Sequence, residues 1–320
     1  MAKVIDKINW YYKTANQFIT HDLWRLDFSQ LSGLRARVVR HLKVLVLAVR
    51  NFFELRVGRE AVSLSFFSTL AIVPLVAAIL FITGGLGLDQ KLSDALHTAF
   101  PTSVQMIDYV LNAAGSIVDS LENGLFGVIS FISFIWLVFW LMLNVELSFN
   151  RIWRVEKARL IWKRFLVYIL ILIMAPLLLF LFSYGTFYFT TFSNALQSRL
   201  GLFNFLTSWL YWLVFYAISV GILSLIYKFI PHAAVKYMPC LKAAVVAALA
   251  FVAVQYLYIE TQMMVTRLGT VYGVFAAIPL FMVWMNICWQ IILFGSELSY
   301  GFQKVYDYDL EKETWLLQVL

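Results

Sequence analysis

Charge is what this 320-residue chain has least of: Asp, Glu, Lys and Arg make up 13% of it, while 62% is hydrophobic. A water-soluble fold cannot hide that much apolar surface, so soluble classes are excluded and a polytopic membrane protein is expected. Cysteine is nearly absent, with only Cys240 and Cys288. One falls at an expected inner boundary and the other near mid-membrane, so neither a disulfide between them nor a thiolate metal cluster is expected. Histidine is just as sparse. His21, His41, His97 and His232 lie on separate segments with no HxH or HxxxH pattern. A Gly-rich phosphate loop, a Gly-x-Ser-x-Gly elbow and a carboxylate cluster are missing too. Metal-dependent hydrolysis needs several converging ligands. The chain is therefore read as a non-enzyme with no catalytic residue, no metal and no cofactor. The first 60 residues hold no long apolar run of the signal-peptide kind, so no cleaved leader is expected.

What the chain has is long stretches without charge. Between Arg267 and Glu297 none of its 29 residues is Asp, Glu, Lys or Arg, and a helix of about 20 apolar residues already spans a bilayer core. Charge-poor runs place spans near 62–83, 124–144, 165–187, 208–229, 241–262 and 275–299. Basic residues resist translocation and stay cytoplasmic. Of the 25 Lys and Arg, 22 fall on one side of this arrangement, in residues 1–60, 151–164, 228–242 and the tail. The other side holds only Lys91, Arg199 and Arg267. The formal charge of +7 is thus a topology signal, and no nucleic-acid partner is expected.

The expected fold is all-α: six transmembrane helices, N-in and C-in, multi-pass in a bacterial inner membrane. Residues 1–60 form a cytoplasmic extension, 61–300 the transmembrane domain and 301–320 a cytoplasmic tail with a short helix. From Arg35 to Arg59, Val38, Leu42, Leu45, Val49 and Phe52 recur three and four apart, with Arg40, Lys43, Arg50 and Glu54 on the other face. That is a basic amphipathic helix, lying against anionic headgroups or packed under the bundle. The outer connection, about 84–123, repeats Met106, Val110, Ala113 or Ala114, Ile117 and Leu121 at helical spacing and is read as helical.

Glu260 is the most unusual residue, a carboxylate inside or at the end of the fifth span, where such groups face a cavity or a partner. Arg267 lies two turns further along the same face if the helix continues; the alternative is a Glu260 head in outer-side water. Pro74, Pro176 and Pro279 fall inside spans, where they act as bundle kinks; alternatively Pro74 and Pro279 mark two interrupted helices lining one cavity. Ser68 and Thr69 on the first span and Asn286 on the sixth would make a wet seam there, so a polar pocket bordered by Glu260 is expected between these two spans. At the inner boundary, Glu146, Asn150, Arg151, Arg154 and Glu297 are read as structural pairing.

Several short motifs carry a resemblance. They are Ser68-Thr69-Leu70-Ala71-Ile72-Val73-Pro74-Leu75, Asn150-Arg151-Ile152-Trp153-Arg154, Ile230-Pro231, Tyr272-Gly273, Ala277-Ile278-Pro279 with Trp284, and Gly295-Ser296-Glu297-Leu298. In this order, over about Ala61 to Tyr300, the chain resembles the YihY/BrkB family of bacterial inner-membrane proteins, once mislabelled ribonuclease BN. The resemblance implies a transporter of lipid or another anionic amphipath toward the cell envelope. A non-transporting scaffold and a membrane-embedded enzyme are the alternatives. Membrane lipids are the expected partners, together with a homo-oligomer if copies associate.

Overall fold

The computed structural model describes residues 33–84, 104–120, 125–155, 204–266 and 270–319, and singly Leu23, Gln90, Ser93, Asp94, Leu96, His97 and Arg164. These residues are all-helical, with no strand among them. The helices are α1 (Gly33–Glu54), α2 (Val57–Gly84), α3 (Val104–Ser120), α4 (Leu125–Ile152), α5 (Asn204–Phe229), α6 (Tyr237–Thr266) and α7 (Thr270–Val319). Five of the expected spans fall within α2, α4, α5, α6 and α7. The remaining one, at 165–187 with Pro176, lies outside the described residues, as do Arg267 and most of residues 1–32. Among the described residues, Trp212–Phe229, Tyr237–Val265 and Pro279–Val305 are long and apolar enough to cross a membrane.

α7 is the hub, packing against each of the other six helices. It is 50 residues long and keeps its helix through Pro279. No break separates the expected span end at 299 from the expected tail helix: α7 runs on through Gly301, which packs against Val44 of α1. The main core gathers where α7 meets the rest: Val44 and Ala48 of α1, Leu64 of α2, Phe149 and Ile152 of α4, Tyr227 of α5, and Leu293, Leu298 and Val305 of α7.

Small residues set how closely these helices approach. On α6, Cys240, Ala243, Ala244, Ala247 and Ala248 are buried at helical spacing, whereas Val245, Val246 and Leu249 are exposed. α7 answers with Gly295, where an added Cβ would stand 2.0 Å from the Tyr227 hydroxyl and 2.8 Å from the Ala247 Cβ. α5 also turns small polar groups inward: Ser219 and Ser224 are buried while Leu213, Leu225 and Phe229 are exposed. Leaving each such side chain in water would forfeit about 1.5–3 kcal/mol of burial. Hydrocarbon removes that penalty, so the outward apolar faces are the ones lipid covers.

α1 packs on the bundle through the face opposite its expected apolar stripe. The stripe Val38, Leu42, Leu45 and Val49 is exposed, and the buried face is Lys43, Val44, Leu47, Ala48 and Asn51. That face seats against α7, where a Cβ on Gly301 would lie 3.1 Å from Val44 Cγ1. The wide apolar stripe faces outward, and the narrower mixed face, with smaller side chains, packs against the bundle. α1 gives way to α2 through Leu55 and Arg56, the latter left-handed at φ 54°.

α3 buries Val110 and Ala114, as its spacing predicts. Leu96 packs with Val76, Leu80, Ile107 and Leu111, joining the segment around α3 to α2. His97 fastens the same region: Nδ1 faces the Ser93 carbonyl at 2.8 Å and Nε2 faces Asp108 Oδ1 at 2.9 Å. Both ring nitrogens meet acceptors, so the doubly protonated ring fits best. The Ser93 carbonyl and then the Asp108 carboxylate hold its pKa above the usual 6.5. A raised folded-state value contributes stability that is complete below the unfolded value and is lost as pH rises through the folded one. Thermal unfolding of Asp108→Asn should therefore fall below wild type most at acidic pH, with the gap closing as pH rises beyond 6.5. A gap that widened with pH would contradict the assignment. Both side chains are partly exposed, at 31% and 54%, so the effect is small.

Candidate functional site at the basic end of the bundle

The end where α4 and α5 stop and α6 begins carries Arg151, Arg154, Arg164, Lys228 and Lys236, and is called the basic end below. Helical spacing puts Glu146 and Asn150 on one face of α4, one turn apart, and Arg154 follows just past the helix end. Glu146 is buried; its Oε1 accepts from Asn150 Nδ2 at 3.4 Å and from Arg164 Nε at 3.3 Å. The Asn150 side-chain oxygen accepts the backbone N–H of His232 at 2.8 Å. Asn150 thereby ties α4 to the α5–α6 loop. Arg151 pairs outward with Glu60 of α2, which also accepts from Ser148 Oγ at 3.1 Å.

The α4 terminus is shaped by Arg154, left-handed at φ 51°. Val155 N–H reaches the Asn150 carbonyl at 2.9 Å and Arg154 N–H the Arg151 carbonyl at 3.1 Å. This is the Schellman pattern, which usually places glycine there. Arginine is held instead by its contact with α7: the guanidinium lies 5.4 Å from the Tyr300 ring centroid, and Trp153 meets the same ring edge-on at 5.6 Å.

α7 also fixes the loop between α5 and α6. Gln303 Oε1 accepts the Lys236 N–H at 2.8 Å while its Nε2 donates to the Ala234 carbonyl at 3.0 Å. Lys228, in the last turn of α5, donates to the Val235 carbonyl. The Ala234 and Val235 carbonyls of this tight connection are thus satisfied by side chains.

Glu297 sits on the α7 face toward α1. It is 0% exposed, and its Oε2 accepts from Asn51 Nδ2 at 3.3 Å. Its Oε1 has no hydrogen-bond partner among the described residues.

The residues of the expected pathway are more scattered. Ser68 on α2 accepts from Trp289 Nε1 of α7 at 2.9 Å, closing that seam directly. Thr69 donates to the Ser65 carbonyl at 2.8 Å, and Asn286 accepts from Gln290 at 2.7 Å. Pro74 lies within α2 and Pro279 is exposed on α7. Glu260 is exposed on α6. Two open recesses, of about 380 and 330 Å³, lie along α1; Leu34, Arg37, Val38, His41, Leu42 and Leu45 line the larger one.

Sequence reasoning missed Asn51, Glu60, His232, Gln303 and Tyr300. Each acts through a partner more than 60 positions away, and no local pattern marks such pairs. It missed Gln262 too, a buried amide donating to the Tyr258 hydroxyl at 2.7 Å on α6. The Tyr258 ring stacks on Trp284 of α7 at 4.7 Å.

The model of the virulence factor BrkB family matches residues 48–315. A UPF0761 membrane protein of Halorhodospira halophila is 30% identical over 270 residues, 81% of this chain and 58% of that protein. Another, from Actinobacillus pleuropneumoniae, is 26% identical over 244 residues, covering 74% of this chain and 84% of its own length. A third, from Acinetobacter baylyi, is 25% identical over 311 residues, with 94% and 65% covered. The chain therefore spans less than two thirds of the first and third of these relatives. No solved structure matches it. The names of these relatives describe membrane proteins and state no enzymatic activity. With the family model covering most of its length and its long apolar helices in place, the chain belongs to the BrkB family of membrane proteins.

Proposed function

We propose that this protein is a transporter of the bacterial inner membrane that moves lipid, or another anionic amphipath, toward the cell envelope. The observation that carries this reading is the outer face of α1. There Leu34, Val38, Leu42 and Leu45 are exposed beside Arg35 and Arg37, around open recesses. Apolar side chains flanked by guanidinium groups match an acyl chain joined to an anionic headgroup. The basic end, facing the cytoplasm by its charge, would collect such headgroups. Cargo would then pass the α2–α7 seam at Ser68, Thr69 and Asn286, with Pro74 and Pro279 as flexing points and Glu260 and Arg267 near the far side.

A second reading, a non-transporting scaffold, is favoured by the direct Trp289 to Ser68 hydrogen bond, which closes that seam. Vesicles containing the purified protein separate the two. Labelled anionic lipid should change leaflets faster than in empty vesicles, and Arg35→Glu with Arg37→Glu should slow it on the order of thirtyfold, at about 1 kcal/mol for each of the two basic contacts. No acceleration by the wild-type protein sinks the transport reading. Acceleration untouched by the double change sinks the role of α1.

A further inference from the structure

We propose that Glu297 is a proton-binding site, holding one proton as a neutral carboxylic acid where α1 packs on α7. The inference does not rest on the transport reading. Its basis is an inventory of the carboxyl's surroundings. Among the described residues, Glu297 is 0% exposed, one oxygen has a single neutral amide donor, Asn51 Nδ2 at 3.3 Å, and the other has no hydrogen-bond partner. An ionised carboxylate removed from water needs an ion pair or several donors, and a neutral one needs far less.

The charged groups around this seam are engaged elsewhere. Arg154 is the cation whose field reaches Glu297, and its guanidinium lies over the Tyr300 ring. Arg151 is bound to Glu60, and Lys228 donates to the Val235 carbonyl. Lys43, two turns before Asn51 on α1, is buried with interactions of its own. Glu146, the other buried carboxyl of this end, contrasts with Glu297 by having Arg164 at 3.3 Å. One buried acid is thus paired and the other is not.

The hydrogen bond assigns the two oxygens. Oε2, which accepts from Asn51, is the carbonyl oxygen, and Oε1 carries the proton. If α1 lifts from α7, it takes Asn51 with it, the O–H bond breaks, the proton passes to water at the basic end, and the negative charge left on Glu297 is met by the entering water and by the field of Arg154. The proton therefore belongs to the closed seam.

Infrared spectroscopy of the purified full-length protein in lipid nanodiscs tests this without any cargo, so its result is independent of whether lipid is moved. At neutral pH, where exposed carboxyls are ionised, a protonated-carboxyl stretching band should be present in wild type and lost in Glu297→Gln. Absence of the band in wild type, or its survival in that variant, overturns the proposal. Asn51→Ala keeps Glu297 and serves as the second probe should the first variant not fold. Without its amide donor, the Glu297 carbonyl stretch should move to higher frequency, and a band that stays in place overturns the assignment.

Discussion

A Gly295→Val protein is expected to be among the least stable single variants of this chain, losing on the order of 3 kcal/mol or failing to accumulate. The glycine Cα sits where the Tyr227 hydroxyl ends: an added Cβ meets that oxygen at 2.0 Å, the ring carbon behind it at 2.7 Å and the Ala247 Cβ at 2.8 Å. Tyr227 is fully buried and in contact with Phe149, at a ring separation of 6.5 Å, so it has no room to withdraw. Overpacking a filled core usually costs about 1–3 kcal/mol, and a branched side chain against two helices lies at the upper end of that range. Gly221 on α5 is the control. A Cβ there meets nothing within 4 Å, and replacing a mid-helix glycine with alanine favours the helix by roughly 1 kcal/mol. Thermal unfolding in one detergent should show Gly295→Val far below wild type and Gly221→Ala at or above it. Equal midpoints would mean that α7 does not approach α5 and α6 as described.

Asn150→Leu should lose about 2 kcal/mol, within the range for removing one partner of buried polar groups. The change withdraws the acceptor that the His232 N–H has in Asn150 and one of the donors to Glu146. Leucine fills a similar volume, so the loss comes from hydrogen bonding and leaves little cavity. Limited proteolysis should report it as faster cleavage between Ile230 and Lys236, the loop that Asn150 holds from one side and Gln303 from the other. Asn150→Asp keeps the acceptor but sets a second carboxylate beside Glu146, so it should also unfold early. A loop cut at the wild-type rate in both variants would refute the anchoring role.

How much of this was legible in advance follows from the solvent. The spans could be read because charge is costly in hydrocarbon, and charge-free runs therefore mark helices such as α6 and α7 directly. Which face turns inward could not be read in the same way. In water the apolar stripe of α1 would have been the buried one, yet Val38, Leu42 and Leu45 lie outside while Lys43 and Asn51 lie inside. Lipid is as apolar as leucine, so apolarity does not label the interior. Small side chains and polar pairs do, as Ala247, Ser224, Gly295 and Glu297 illustrate. The acidic and basic residues at the end of α4 were identified from their position at a span boundary. Their partners Glu60, Tyr300 and His232 depend on the tertiary path of the chain, which no local periodicity contains.

The length of α7 has a mechanical consequence. At 1.5 Å per residue its 50 residues make a rod about 75 Å long, more than twice the roughly 30 Å of the hydrocarbon layer. Gly295, the point of tightest contact, lies almost at its midpoint, with about 36 Å of helix on either side. A rod pinned at its centre acts as a balanced lever. Rocking α7 by about 10° about that fulcrum would sweep the Val319 tip through about 6 Å, while Pro279, between Thr270 and the fulcrum, would take up part of a push at the other tip as bending.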